Sequence, residues 1–169
     1  MSKKIKKIVF ITGTRADYGK LKPLITAATK KSNFRVIILI TGMHLQKKYG
    51  STYLQIINDF EKSKIYKVNN HMNNAQMDDL LGNTLKKVGR IIKKIKPDLV
   101  VIHGDRIETL AATITCNLNN ILTCHIEGGE VSGTVDESIR HSTTKLAHTH
   151  FVSNYKAKKI LIRMGELKK

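Results

Sequence analysis

Short apolar runs alternate with longer amphipathic stretches along the whole chain. Ile5 to Thr12 is a β-branched run closed by Gly13, Arg35 to Thr41 is a second closed by Gly42, and Ile65 to Val68 is a short third. Asp98 to His103, Ile121 to Ile126 and Thr149 to Ser153 complete six predicted strands. Between them, apolar positions recur at helical spacing. Helices are predicted from Asp17 to Lys30, with Pro23 in the first turns, and over most of Leu45 to Phe60. A third runs from Gln76 to Lys96, through Met77, Leu80, Leu81, Leu85, Val88, Ile91, Ile92 and Ile95, and Pro97 stops it. Arg106 to Asn119, Asp136 to Ala147 and Tyr155 to Met164 are the remaining three.

Strands that are apolar on both faces and separated by helices of this length predict a parallel sheet covered on both sides. Right-handed crossovers then make the chain one α/β domain, a doubly wound, Rossmann-like parallel sheet spanning residues 1–169. The alternation asks for a further strand after the last helix, where Gly165 to Lys169 stands instead.

Composition narrows the class. At 169 residues, 41% hydrophobic and 25% charged, the chain is long enough for one substantial core and is no disordered segment. No apolar run approaches the ~20 residues of a bilayer span. Met1 to Lys7 reads as the basic flank of the first strand, not as a leader. Cys116 and Cys124 form neither a disulfide framework nor a zinc spacing, so a cytoplasmic protein without membrane attachment is expected. Thirty Lys and Arg against thirteen Asp and Glu leave a formal charge of +17. Twenty-four of those cations are Lys, spread in pairs along the chain, and aromatics are only 5%. This describes solvated helix faces with weak polyanion affinity, and no specific nucleic-acid partner is predicted. The acids are more localised: Asp98, Asp105, Glu108, Glu127, Glu130, Asp136 and Glu137 share the stretch 98–137 with one cation, Arg106. That stretch is net −6 and the rest of the chain +23.

Ligands of open α/β sheets bind beyond the carboxyl ends of the strands, so the residues after each strand are the candidates. After strand one, Gly13 permits a tight turn, the helix start offers backbone N–H groups to an anion, and Arg15 adds a charged fork. His44 follows strand two, and Asp105 with Arg106 follows strand four. After strand five come His125, Glu127 and a glycine-rich loop leading to Asp136. His103 with Asp105, and His125 with Glu127, share a strand face if the strands persist that far. Their order lacks the spacing of helical or deaminase zinc sites, and no metal is predicted. Asp105, Glu127 and Asp136 form a carboxylate set suited to acid/base work, because mutual repulsion and partial burial separate their pKa values. Asp136 also has the position of a helix cap, with Glu137 in the first turn. Cys116, Cys124, His148 and His150 read as packing or helix-end residues.

Four stretches together carry a resemblance: GTRADYGKLKPL from Gly13 to Leu24, TGMHL from Thr41 to Leu45, HGDR from His103 to Arg106, and HIEGGEVSGTVDESIRH from His125 to His141, continued by TKLAH from Thr144 to His148. From about residue 5 to Glu166 the chain resembles the hydrolysing UDP-N-acetylglucosamine 2-epimerases. The non-hydrolysing sister enzymes carry a different, VEAGLR-like loop where Glu127 to Gly129 stand. The resemblance implies two Rossmann-like domains in the GT-B arrangement with a UDP-sugar in the cleft between them, of which this chain is the amino-terminal half. It implies conversion of UDP-N-acetylglucosamine and water to UDP and N-acetylmannosamine for sialic acid synthesis. A relative acting on UDP-N,N′-diacetylbacillosamine for legionaminic acid is the alternative. By the resemblance, Asp105, Glu127 and Asp136 are the acid/base set, Arg15 contacts the nucleotide phosphates, and Ala16, His44, Arg106 and Arg140 are substrate-site residues. No cofactor is implied. Self-association is, so a non-catalytic oligomerisation module is the reading from another class. Without the second, UDP-gripping domain, the chain alone is expected to lack appreciable turnover.

Overall fold

The computed structural model describes residues 5–166. Met1 to Lys4, part of the basic flank read above, and Leu167 to Lys169 lie outside the described residues. Six strands, β1 (Lys6–Thr12), β2 (Phe34–Ile40), β3 (Lys64–Lys67), β4 (Leu99–His103), β5 (Leu122–Ile126) and β6 (Thr149–Phe151), form one sheet in the order β3-β2-β1-β4-β5-β6. Every pairing is parallel. The helices are α1 (Arg15–Thr29), α2 (Tyr53–Asp59), α3 (Met77–Ile95), α4 (Ile107–Leu118), α5 (Val135–Leu146) and α6 (Tyr155–Arg163). The fold is a doubly wound parallel sheet. Its strand order reverses between β1 and β4, which opens a crevice at their carboxyl ends.

Side-chain alternation divides the core. Ile8 and Phe10 of β1 pack with Leu21 and Ile25 of α1 and with Ile56 of α2. Val9 and Ile11 pack on the other side with Val88 and Ile92 of α3 and Ala112 and Cys116 of α4. Ile38, Leu39 and Ile40 of β2 are inaccessible to solvent on both faces. Each contributes roughly 1.5–3 kcal/mol of burial, which is why the strand reads as an unbroken apolar run. At the amino edge, the Asp98 carboxylate accepts from the Lys7 N–H at 2.8 Å and fixes β4 against β1. That acid of the 98–137 stretch is therefore structural.

Two expectations need correction. Helix α1 starts at Arg15, not Asp17, because Thr14 and Asp17 form a reciprocal capping box; Pro23 consequently lies mid-helix. Leu45 to Phe60 is not one helical stretch. It begins on the last residue of a 3-10 turn at Gly42–Leu45, continues through a second at Lys47–Tyr49, and then enters α2. Gly50 and Ser51 take positive φ there, and the left-handed backbone breaks the helical run.

Candidate active site

A cavity of about 440 Å³ lies at the crevice, lined by the turns after β1, β2, β4 and β5 together with Arg140 of α5. The turn after β1 is built around Asp17. Its carboxylate accepts from the Gly13 and Thr14 N–H groups, both at 3.0 Å, and from the Thr12 hydroxyl. Those two N–H groups are thereby taken from any incoming anion, contrary to the simplest reading of the motif. Arg15 and Ala16, which open α1 and line the cavity, remain as the helix-start positions that can meet one.

His44 is fully buried behind this turn and does not line the cavity. Its Nε2 lies 2.9 Å from the Thr12 hydroxyl and its Nδ1 2.6 Å from the Thr52 hydroxyl. With both ring nitrogens engaged and no exposed surface, His44 braces the turn and does not reach a ligand from where it stands. Gly42 makes the bracing possible: a β-carbon there would sit 2.9 Å from the Gly13 carbonyl oxygen and 2.6 Å from Glu108 Oε1. Glu108 is itself buried and accepts from Asn70 Nδ2 at 3.2 Å.

The strands do not persist as the i, i+2 reading of the histidines requires. Gly104 takes φ +76 after β4, and Glu127 takes φ +61 after β5. The period-2 alternation ends at both points. His125 stays beneath the turn, where its Nε2 donates to the Gly104 carbonyl at 2.8 Å and its Nδ1 accepts from the Thr144 hydroxyl at 3.1 Å. Asp105 and Glu127 instead line the cavity. A non-glycine residue held left-handed costs roughly 1–2 kcal/mol, and such strain is concentrated at functional sites. Gly128 and Gly129 follow for a steric reason. A β-carbon on Gly128 would lie 2.7 Å from Thr144 Oγ1, and one on Gly129 would lie 2.3 Å from Leu161 Cδ1 of α6.

Both cavity carboxylates have cationic partners. Arg140, buried on α5, holds Asp105 through Nη2 while its Nη1 donates to the Glu130 carbonyl at 2.8 Å. Glu127 Oε1 lies 3.1 Å from Lys20 Nζ and its Oε2 lies 3.0 Å from His103 Nε2. Partial burial pushes the Glu127 carboxyl up, but Lys20 and His103 outweigh it and hold the group below the usual glutamate range. Arg106 also lines the cavity, its Nη2 3.9 Å from Met43 Sδ.

Asp136 is not among the lining residues. It occupies the first turn of α5, four residues before Arg140 and so on the same helix face, one turn along from the Asp105 ion pair. Nor does it cap the helix: the Ser132 and Gly133 N–H groups donate to Glu137 at 2.9 and 2.8 Å. Asp105, Glu127, Arg15, Ala16, Arg106 and Arg140 thus share one cavity, and Asp136 and His44 stand outside it. Six further lining residues, Thr14, Asp17, Met43, His103, Gly104 and Glu130, are not among the predicted site residues. Nor is Lys20, the partner of Glu127. Its position four residues after Ala16, on the face of α1 that opens on the crevice, was the available signal. Among the described residues, no group of three or more His, Cys, Asp or Glu side chains is placed to hold a metal ion.

Burial pushes the His125 imidazole down to about 4 from its ordinary 6.5. The unfolded chain therefore binds a proton that the folded one excludes between those values, and stability rises with pH across that window. About 3 kcal/mol is expected to be lost as pH falls from 6.5 to 4. Urea unfolding of the chain against its His125→Gln variant checks this, since glutamine keeps a donor for Gly104 and does not titrate; equal pH slopes would exclude His125 as the cause.

Residues 26–169 match the UDP-N-acetylglucosamine 2-epimerase family. The chain is 46% identical over 165 residues to a UDP-N-acetylglucosamine 2-epimerase of Neisseria meningitidis serogroup B, covering 98% of this chain and 44% of the relative. It is 42% identical over 166 residues to the hydrolysing UDP-N,N′-diacetylbacillosamine 2-epimerase of Legionella pneumophila, covering 96% and 44%. The crystal structure of a Neisseria meningitidis UDP-GlcNAc 2-epimerase bound to UDP-GlcNAc superimposes with a TM-score of 0.83 at 25% identity, over 94% of this chain and 43% of that one. The chain spans less than half the length of each.

Proposed function

The chain belongs to the UDP-N-acetylglucosamine 2-epimerase family, and from this premise we propose that it is the amino-terminal, acid/base-bearing half of a hydrolysing enzyme that converts UDP-N-acetylglucosamine and water to UDP and N-acetylmannosamine. The observation that carries the reading is the convergence of Asp105 and Glu127, each with its cations, on one cavity at the sheet's reversal point. The C2 hydrogen of an N-acetylhexosamine is not adjacent to a carbonyl, so its removal must accompany departure of UDP from C1. A carboxylate takes the proton as the C1–O bond breaks, and the electron pair of the C2–H bond becomes the C1=C2 double bond. An acid then returns a proton to C2 from the other face while water adds at C1. Asp105 and Glu127 stand where such transfers can occur, with Asp136 one turn away on α5. Arg15, Ala16 and Arg106, lining the same cavity, suit the diphosphate.

The part of the relatives beyond this match supplies the remainder of the site, so the chain alone is expected to turn over negligibly. Joining it to the carboxy-terminal half of the Neisseria meningitidis serogroup B relative gives a two-domain protein in which the reading is testable. Release of UDP together with N-acetylmannosamine, followed by NMR, supports it. Release of UDP with N-acetylglucosamine, or no release, opposes it. The Legionella relative at 42% identity supports UDP-N,N′-diacetylbacillosamine as the second reading. A higher kcat/KM for that sugar nucleotide in the same protein would select it.

A further inference from the structure

Two cavity carboxylates stand outside the proposed acid/base set: Asp17, whose oxygens are taken up by the turn after β1, and Glu130. Glu130 lines the cavity with Asp105 and Glu127. Asp105 is neutralised by Arg140, and Glu127 by Lys20 and His103. Among the described residues Glu130 has neither a cationic partner nor a hydrogen bond to its Oε2; its Oε1 accepts from the Ser153 hydroxyl. Its backbone is nonetheless fixed. The Glu130 carbonyl accepts from Arg140 Nη1, while Nη2 of the same guanidinium holds the Asp105 carboxylate, so one side chain ties the Glu130 backbone to Asp105. On the other side, Gly129 packs against Ala157 and Leu161 of α6. The result is a carboxylate held at one oxygen by Ser153, on a turn fixed from both sides that lines the cavity and also borders a second hollow against α6.

A hydrolysing 2-epimerase has a third proton to move besides the two at C2. Water adding to C1 of the unsaturated sugar must give one up as its oxygen bonds carbon. A carboxylate oxygen that no cation or donor occupies is open to a water molecule beside it. We propose that Glu130 is the base for this step. Its free oxygen takes a proton from the water, the water oxygen bonds C1, and the electrons of the C1=C2 bond take up a proton at C2 from one of the other acids. Glu130 then returns its proton to solvent. The assignment rests on the hydrolysing reading above.

The test is E130Q in the two-domain protein, with UDP, the unsaturated sugar and N-acetylmannosamine each quantified by NMR. Glutamine keeps the Ser153 hydrogen bond but cannot accept the proton. UDP release is expected to continue while N-acetylmannosamine formation falls about 10²-fold and the unsaturated sugar accumulates. S153A, which frees the carboxylate without removing it, is expected to shift the same ratio less. Unchanged product ratios in E130Q, or equal falls in UDP release and N-acetylmannosamine, would overturn the role of Glu130 while leaving the hydrolysing reading standing. A wild-type two-domain protein that releases no UDP would overturn both.

Discussion

Glu127→Gln in the two-domain protein is expected to lower turnover by about 10²–10⁴-fold while leaving the melting temperature of this domain near the wild-type value. Glutamine has the shape of the native side chain and can still accept from Lys20, whose ammonium group is largely exposed and contributes little through the pair. What it loses is the ability to take a proton. Asp105→Asn is expected to cost a similar factor in rate. It also costs some stability, because Arg140 is buried and loses its charged partner. The double variant should be little slower than either single one if the two carboxylates act on the same reaction coordinate. Steady-state UDP release and thermal melts on the same preparations separate the two effects. Near-wild-type rates in both single variants would remove these carboxylates from the chemistry. Glu127→Gly should be at least as stable as wild type, because it relieves the left-handed backbone at φ +61. It should be as inactive as the glutamine variant, which would identify the strain as the consequence of placing a functional side chain there.

Gly129→Ala is expected to be the most damaging small substitution in the fold. The added β-carbon would lie 2.6 Å from the Ala157 carbonyl oxygen and 2.3 Å from Leu161 Cδ1, at φ +83. The backbone contribution is roughly 1–2 kcal/mol, and overpacking against α6 adds roughly 1–3, giving about 2–5 kcal/mol together. Gly133 is the internal control. It also has positive φ, at +70, but nothing lies within 4 Å of its β-carbon position, so Gly133→Ala should show only the backbone cost. Urea unfolding of the two variants measures the difference. Equal losses would mean that α6 does not pack on the Gly129 turn as described.

The alternation of apolar runs and amphipathic stretches was sufficient to read six parallel strands and their covering helices, because strands buried on both faces leave little ambiguity of period. The same strand boundaries predict where a candidate cavity lies, because ligands meet the carboxyl ends of strands, and the structure has a cavity there. What the pattern does not carry is backbone conformation at the turns themselves. The left-handed residues Gly42, Gly104 and Glu127 decide which side chains reach the cavity, and only two of those three are glycines. That is why His125 and Glu127, neighbours on one strand face by sequence spacing, separate into a buried brace and a half-buried acid of the cavity. The inward turn of Asp17 was hidden for a similar reason. A capping residue whose carboxylate also binds the two preceding N–H groups looks no different in sequence from one that leaves them free. Lys20 and Glu130 were missed because they act across elements distant in sequence: Lys20 reaches from α1 to the turn after β5, and Glu130 is tied to Asp105 only through Arg140.

The proposed reaction requires carboxylates of this domain to remove and return a proton at C2 of the bound hexosamine. Running the two-domain protein in D2O and recording the proton spectrum of the product tests this most directly. One solvent deuteron at C2 of N-acetylmannosamine is the predicted result, with UDP released in equal amount. A product that keeps its original C2 proton would contradict the account, because the carboxylates would then never have touched that carbon's hydrogen.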